Sequence, residues 1–171
     1  MHALFTMLAR YNEWANRRIY AAAAALSEAD YRAEGGAFFG SVHGTLNHLL
    51  VGDRIWMRRF TGEGPIQTKL DEILYDDLAS LRSEREAQDR RIIAYIDGLS
   101  EKQLGATFTY RTIVKPVDIT QPLAPALSHF FNHQTHHRGQ VHALLTAKTG
   151  REATPSIDLI IFQRETGIGL A

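Results

Sequence analysis

The chain contains no cysteine, which removes disulfides, thiolate nucleophiles and thiolate metal ligands together. Any transition-metal site must then be built from His, Asp and Glu. An excess of charge of either sign is missing as well: 19 Lys and Arg face 19 Asp and Glu. There is accordingly no basic field of the kind that holds nucleic-acid phosphates. No apolar run approaches the ~20 residues needed to cross a bilayer. The opening stretch MHALFTMLARYNEWANRRIY lacks the basic leader, apolar run and cleavage site of a signal peptide. These absences predict a cytoplasmic protein with neither a membrane nor a nucleic-acid partner. No serine sits in a G-x-S-x-G elbow, and EGGAFFG (34–40) has neither Walker nor dinucleotide spacing.

What is present fits one core. A chain of 171 residues, 44% hydrophobic and 22% charged, has the size and balance of a single globular domain, 1–171. Leu4, Leu8, Tyr11, Ala15, Ile19, Ala22 and Leu26 recur at intervals of three and four and predict a helix over 3–26. Ser41 is placed to cap a second helix that runs to Phe60, before Thr61-Gly62 and Gly64-Pro65. Asp76 or Asp77 opens a third, closed by Asp97-Gly98. The alternating signs of RSEREAQDRR (82–91) read as a solvated face of that helix, laced with i,i+4 pairs. The β-branched and aromatic stretch 106–120 reads as two short strands or an extended crossover. Pro122 and Pro125 bracket the start of a fourth helix ending near Lys148, and the apolar run Ile157 to Phe162 is expected to dock on the body. The expected fold is all-α: four long amphipathic helices in a bundle, an architecture that places metal sites between facing helices.

Five of the eight histidines fall between His129 and His142. A helix turns 100° per residue, so with His133 at zero, His137 lies at ~40°, Leu144 at ~20°, Phe130 at ~60° and Val141 at ~80°. His133 and His137 thus share the apolar face, where an i,i+4 pair of imidazoles can chelate one ion from adjacent turns. His129 and His136, at about −40° and −60°, fall on the margin, and His142, at ~180°, faces outward. A third ligand must come from another helix. His48 is the first candidate, on the shoulder of the second helix about 100° from the apolar centre set by Val42, Leu49, Trp56 and Phe60. Asp53 reads as a carboxylate that orients a ligand or as a local backbone cap, Gln140 as a hydrogen-bonding neighbour of a bound ligand, and Arg138 as a partner of an adjacent helix or the tail. His2 and His43 read as surface residues, and Trp14, Trp56, Phe130 and Phe131 as core.

Four blocks, YNEWANRRIY (11–20), TLNHLLVGDRIW (45–56), NHQTHHRGQVHALL (132–145) and DLIIFQRE (158–165), resemble in order the DinB family of small bacterial helical proteins, named for a damage-inducible member. H-x-x-x-H-R-G-Q is the most specific of these signals. The resemblance implies a DinB-type four-helix bundle of up-up-down-down type, frequently a homodimer, with one divalent ion, nickel or zinc, on His48, His133 and His137. It also implies chemistry of the kind seen in thiol-dependent S-transferases and a thiol-dependent isomerase, in which a small thiol meets an electrophilic substrate. Three imidazoles leave a position open for substrate or water. An ion there could serve thiol transfer or, by activating water, hydrolysis. A stress-related metal-binding or scaffold dimer without turnover is the reading from another class. Direct DNA binding, suggested only by the family's name, is opposed by the neutral charge and the lack of a recognition motif.

Overall fold

The structure is a computed structural model describing residues 1–170. It is mostly helical, with one small sheet. Helix α1 (His2–Ala23) is followed by a short α2 (Glu28–Arg32), whose N-cap Ser27 accepts from the Asp30 amide. Helix α3 (Val42–Thr61) begins where the Ser41 hydroxyl accepts the Gly44 N–H at 3.0 Å and ends at Gly62, whose φ of 77° closes the last turn. Helix α4 (Leu78–Asp97) is capped by Asp77, which accepts from the Ser80 amide at 2.8 Å. A four-residue α5 (Glu101–Leu104) carries a capping box between Ser100 and Gln103. The stretch left open between strands and crossover is a hairpin. Strand β1 (Thr107–Arg111) pairs antiparallel with β2 (Asp118–Pro122), and Lys115-Pro116 lies in the tip. Helix α6 (Leu123–Thr149) follows directly, with Pro125 in its first turn, where no intrahelical N–H is lost. The tail forms α7 (Leu159–Thr166), and its Phe162 is buried edge-on against Tyr11 and Trp14.

Packing joins α1 to α4 and α6, and α3 to α6 and α4. One apolar cluster gathers Phe5, Ile92, Leu127 and Phe130, and a second gathers Ile19, Leu46, Leu81 and Val141.

A polar group runs through this interior. Asp53 on α3 lies 2.6 Å from Arg85 on α4, and Arg85 is 3.0 Å from Asp89, all three out of contact with water. These contacts are close in distance, although the guanidinium N–H directions miss the Asp53 oxygens. Asn12 and Asn16 on α1 donate to Asp89 and accept from the buried Arg138 of α6. Two guanidinium groups and two carboxylates therefore balance inside the protein. Burial lifts the Asp53 carboxyl to about 6 against the pull of Arg85, still low enough to be charged at neutral pH.

Three expectations change here. The 82–91 run is not wholly solvated: Arg82 pairs with Glu86 at the surface, whereas Arg85 and Asp89 are buried because ion pairs and amides meet them, and Gln88 is buried as well. The buried face of α1 is turned from the one the apolar spacing suggests, leaving Leu4 about half exposed and placing Asn12 and Asn16 inward. Asp53 neither orients a histidine nor caps backbone, since Arg85 takes it. Arg138 does pair with an adjacent helix, α1.

Candidate metal centre

His133 and His137 stand one turn apart on α6, and His48 faces them from α3. One ring nitrogen from each of the three lies within 4.8 Å of the others. The His48 and His133 rings meet through their Nε2 atoms at 3.2 Å, and the ring centres of His137 lie 4.5 Å from both.

The neighbours decide where the protons sit. Nδ1 of His48 is 2.7 Å from the Leu70 carbonyl, which can only accept, so this nitrogen carries the hydrogen and Nε2 keeps its lone pair. Nδ1 of His137 likewise donates to Oε1 of Gln140 at 2.8 Å, while the Gln140 amide donates to Nε2 of His136 at 3.3 Å. This is how ligating imidazoles are held in structurally known sites: the far nitrogen donates to an oxygen and the near one is free. Burial keeps the rings neutral. It lowers His48 to about 4, with the Leu70 contact opposing, and His133 to about 3, with the nearby imidazoles adding to the effect. His137 is lowered for the same first reason.

The donor set fits a metal ion. Nitrogens about 2.0–2.1 Å from a tetrahedral ion stand roughly 3.3 Å apart, close to the His48–His133 separation. Imidazole suits zinc and nickel among the divalent ions.

Two residues complete the surroundings. The Phe39 ring stacks on His48, with centres 3.6 Å apart, and meets His137 edge-on at 5.4 Å. It is carried by a tight turn in which Gly40, at φ 76°, donates to the Ala37 carbonyl. Gly52, one turn after His48, leaves room for His133: a Cβ there would stand 3.0 Å from Cε1 of that ring. On the other side, His48 and His133 form part of the wall of an open cleft of about 520 Å³, which the hairpin tip completes with Ile113 and Val117.

The remaining histidines separate. His129 and His136 are exposed at the margin; His129 lines the cleft beside Trp56, and His136 abuts His137. His142 is half-buried rather than solvated, with Nε2 3.1 Å from the Pro155 carbonyl of the tail. His43 is buried, not superficial, because the Tyr75 carbonyl and Arg32 meet its two nitrogens. His2 is partly covered and bonded to the Ile96 carbonyl. Phe39 and Gly52 were not singled out from sequence. A glycine in mid-helix, about 1 kcal/mol worse than alanine there, was the signal that could have found Gly52.

A mostly helical chain with three converging neutral imidazoles beside an open cleft defines a class: helical proteins with a His-only site able to hold a metal. The DinB family profile matches residues 1–165, and the chain belongs to the DinB family. Among curated proteins it is similar to the protein DinB of Bacillus subtilis (strain 168), at 26% identity over 171 residues, covering 93% of this chain and 94% of that one. No helix among the described residues is long and apolar enough to cross a membrane.

Proposed function

We propose that this protein is a metal-dependent enzyme of the DinB-type bundle, with one divalent ion, zinc or nickel, on His48, His133 and His137, and that it transfers a small thiol to an electrophile. The observation that carries the reading is that His48 and His133, two of the three clustered histidines, stand in the wall of an open cleft. A site for storage or structure alone would be closed by a fourth protein ligand, whereas three leave a position free. When bound, a divalent ion would supply Lewis acidity that lowers the pKa of a thiol or of water. The protein has no cysteine, so the thiol must come from outside. Its own residues do the positioning: Leu70 and Gln140 fix the tautomers of His48 and His137, and Phe39 shields their rings from water. A homodimer belongs to the same proposal, from the family resemblance, together with the cytoplasmic location expected from the sequence.

Metal analysis of untagged protein tests the site, with about one zinc or nickel per chain expected and loss in His133→Ala. Metal contents equal in the two proteins would sink the assignment. Consumption of a low-molecular-weight thiol with a model electrophile by the loaded protein tests the reaction. Bound metal without such turnover would favour a stress-related scaffold, and hydrolysis of esters or amides instead would favour a hydrolase.

A further inference from the structure

The cleft beside the histidines carries positive charge that no acidic side chain among the described residues answers. Arg59 lies on α3 eleven residues after His48, which returns it to within about 20° of the same helix face, some 16 Å further along the axis. Side chains on a helix lean toward its N-terminus, so Arg59 leans toward His48. Its guanidinium rests on one side against two tilted rings, 4.6 Å from the centre of Trp56 and 4.5 Å from that of Tyr110, whose own centres are 5.3 Å apart. The two rings hold it from that one side and leave the opposite side, with its N–H groups, for a ligand.

The neighbouring arginines are all engaged. Arg54 pairs with Glu84, Arg58 donates to the Gly64 carbonyl, and Arg111 pairs with Asp118. Arg59 is half-buried and has no carboxylate or hydrogen-bond acceptor among the described residues. Leaving a cation partly desolvated and unpaired is costly unless a ligand completes it. The composition of the walls agrees. The cleft holds Arg59 and Lys115 but no Asp or Glu, and the adjoining hollow of about 360 Å³, which shares Ile55, Arg59 and Ile113 with it, adds Arg58 and Arg111 and again no acid. Asp118 neutralises Arg111 from outside the lining, so the local excess of positive charge rests on Arg59, with Lys115 in the same wall.

We propose that Arg59 anchors a carboxylate of the substrate, several bonds removed from the atom that reacts at the histidine cluster, with an apolar stretch lying along Ile55 and Val117 between them. The proposal rests on the cleft being the substrate site. A planar guanidinium fixed by ring contacts on one side can present two parallel N–H bonds, the geometry that matches a carboxylate.

The test uses the full, metal-free chain, so that a carboxylate cannot be captured by an ion. Hexanoate and hexan-1-ol are titrated while the Arg59 Nε–H signal is followed by ¹H–¹⁵N NMR. Hexanoate should shift that signal saturably and bind roughly tenfold tighter than the alcohol, the size expected of one charge-assisted contact. Arg59→Met, which keeps length and apolar contact, should reduce the preference to within about twofold, and Arg59→Lys should recover only part of it. If hexanoate moves the signal no more than hexanol does, or if the preference survives in Arg59→Met, the inference is wrong. In zinc-loaded protein, 6-mercaptohexanoate should outcompete 6-mercaptohexanol by a similar factor. Failure to take up zinc would overturn the proposed function while the hexanoate result still judges Arg59; thiol binding without a carboxylate preference would overturn the role of Arg59 alone.

Discussion

Nε2 of His48 lies 3.2 Å from Nε2 of His133, although 85 residues separate them in the chain. With the His48 hydrogen held at Nδ1 by Leu70, that short approach aims a lone pair at the neighbouring ring. Such an arrangement calls for a shared proton or a shared cation.

Gln140 should matter to metal affinity without touching the metal. It accepts the Nδ1 hydrogen of His137, and losing such a partner typically weakens binding by about 10–100-fold. Competition between a chromophoric zinc chelator and Gln140→Ala measures this, and an affinity equal to that of the parent protein would refute it.

Gly52→Ala should separate stability from metal binding. The added methyl improves helix propensity by about 1 kcal/mol but stands 3.0 Å from Cε1 of His133, which must give way. Thermal unfolding of the metal-free variant is expected at or above the parental temperature, with zinc affinity reduced. Unchanged affinity would show that His133 relaxes freely.

The metal-free protein should lose stability in acid. His48 and His133 titrate at about 4 and about 3 when folded and near 6.5 when unfolded. Between those values the unfolded chain binds more protons, so stability is full above pH 6.5, falls as the pH drops and levels off below about 3. After allowance for partial exposure, each imidazole should contribute a loss on the order of 1 kcal/mol between pH 7 and 5. Urea unfolding at the two pH values, repeated on His48→Ala, should show a shallower dependence in the variant; equal slopes would contradict the assignment.

The interior ion pairs and the surface ones should behave differently. Asp53→Ala leaves Arg85 buried with Asp89 alone and should cost about 3–5 kcal/mol. Asp97→Ala removes a contact with Arg10 whose members are both about 40% exposed, and should cost less than about 1 kcal/mol. Comparable losses in urea unfolding would mean that the interior group is already wet.

What could be read from sequence is what helical periodicity controls. His133 and His137 share a face because of their four-residue spacing, and the long helices begin and end at the capping residues, Ser41, Asp77 and Gly62 among them. His48 was less visible. Its angle put it on a shoulder, and the family resemblance did most to pair it with α6. Arg59, Phe39 and the hairpin tip escaped notice because their roles arise from elements distant in sequence, which no local period encodes. His43 and His142 were misplaced for a related reason, since the carbonyls of Tyr75 and Pro155 that make their burial tolerable become neighbours only in the folded chain. Arg85 and Asp89 show the same limit: the alternating charges suggested water, and the folded chain supplied Asp53, Asn12 and Asn16 as partners instead.

Phe39 closes one side of the histidine cluster, with its ring against His48 and its edge toward His137. The cleft opens on the other side, at His48 and His133. An ion and a substrate would then share one doorway, and their order of passage would matter. Anything seated in the cleft stands between the ion and bulk water, so a chelator would strip metal more slowly from the occupied protein, and a fresh ion would load only into an empty one.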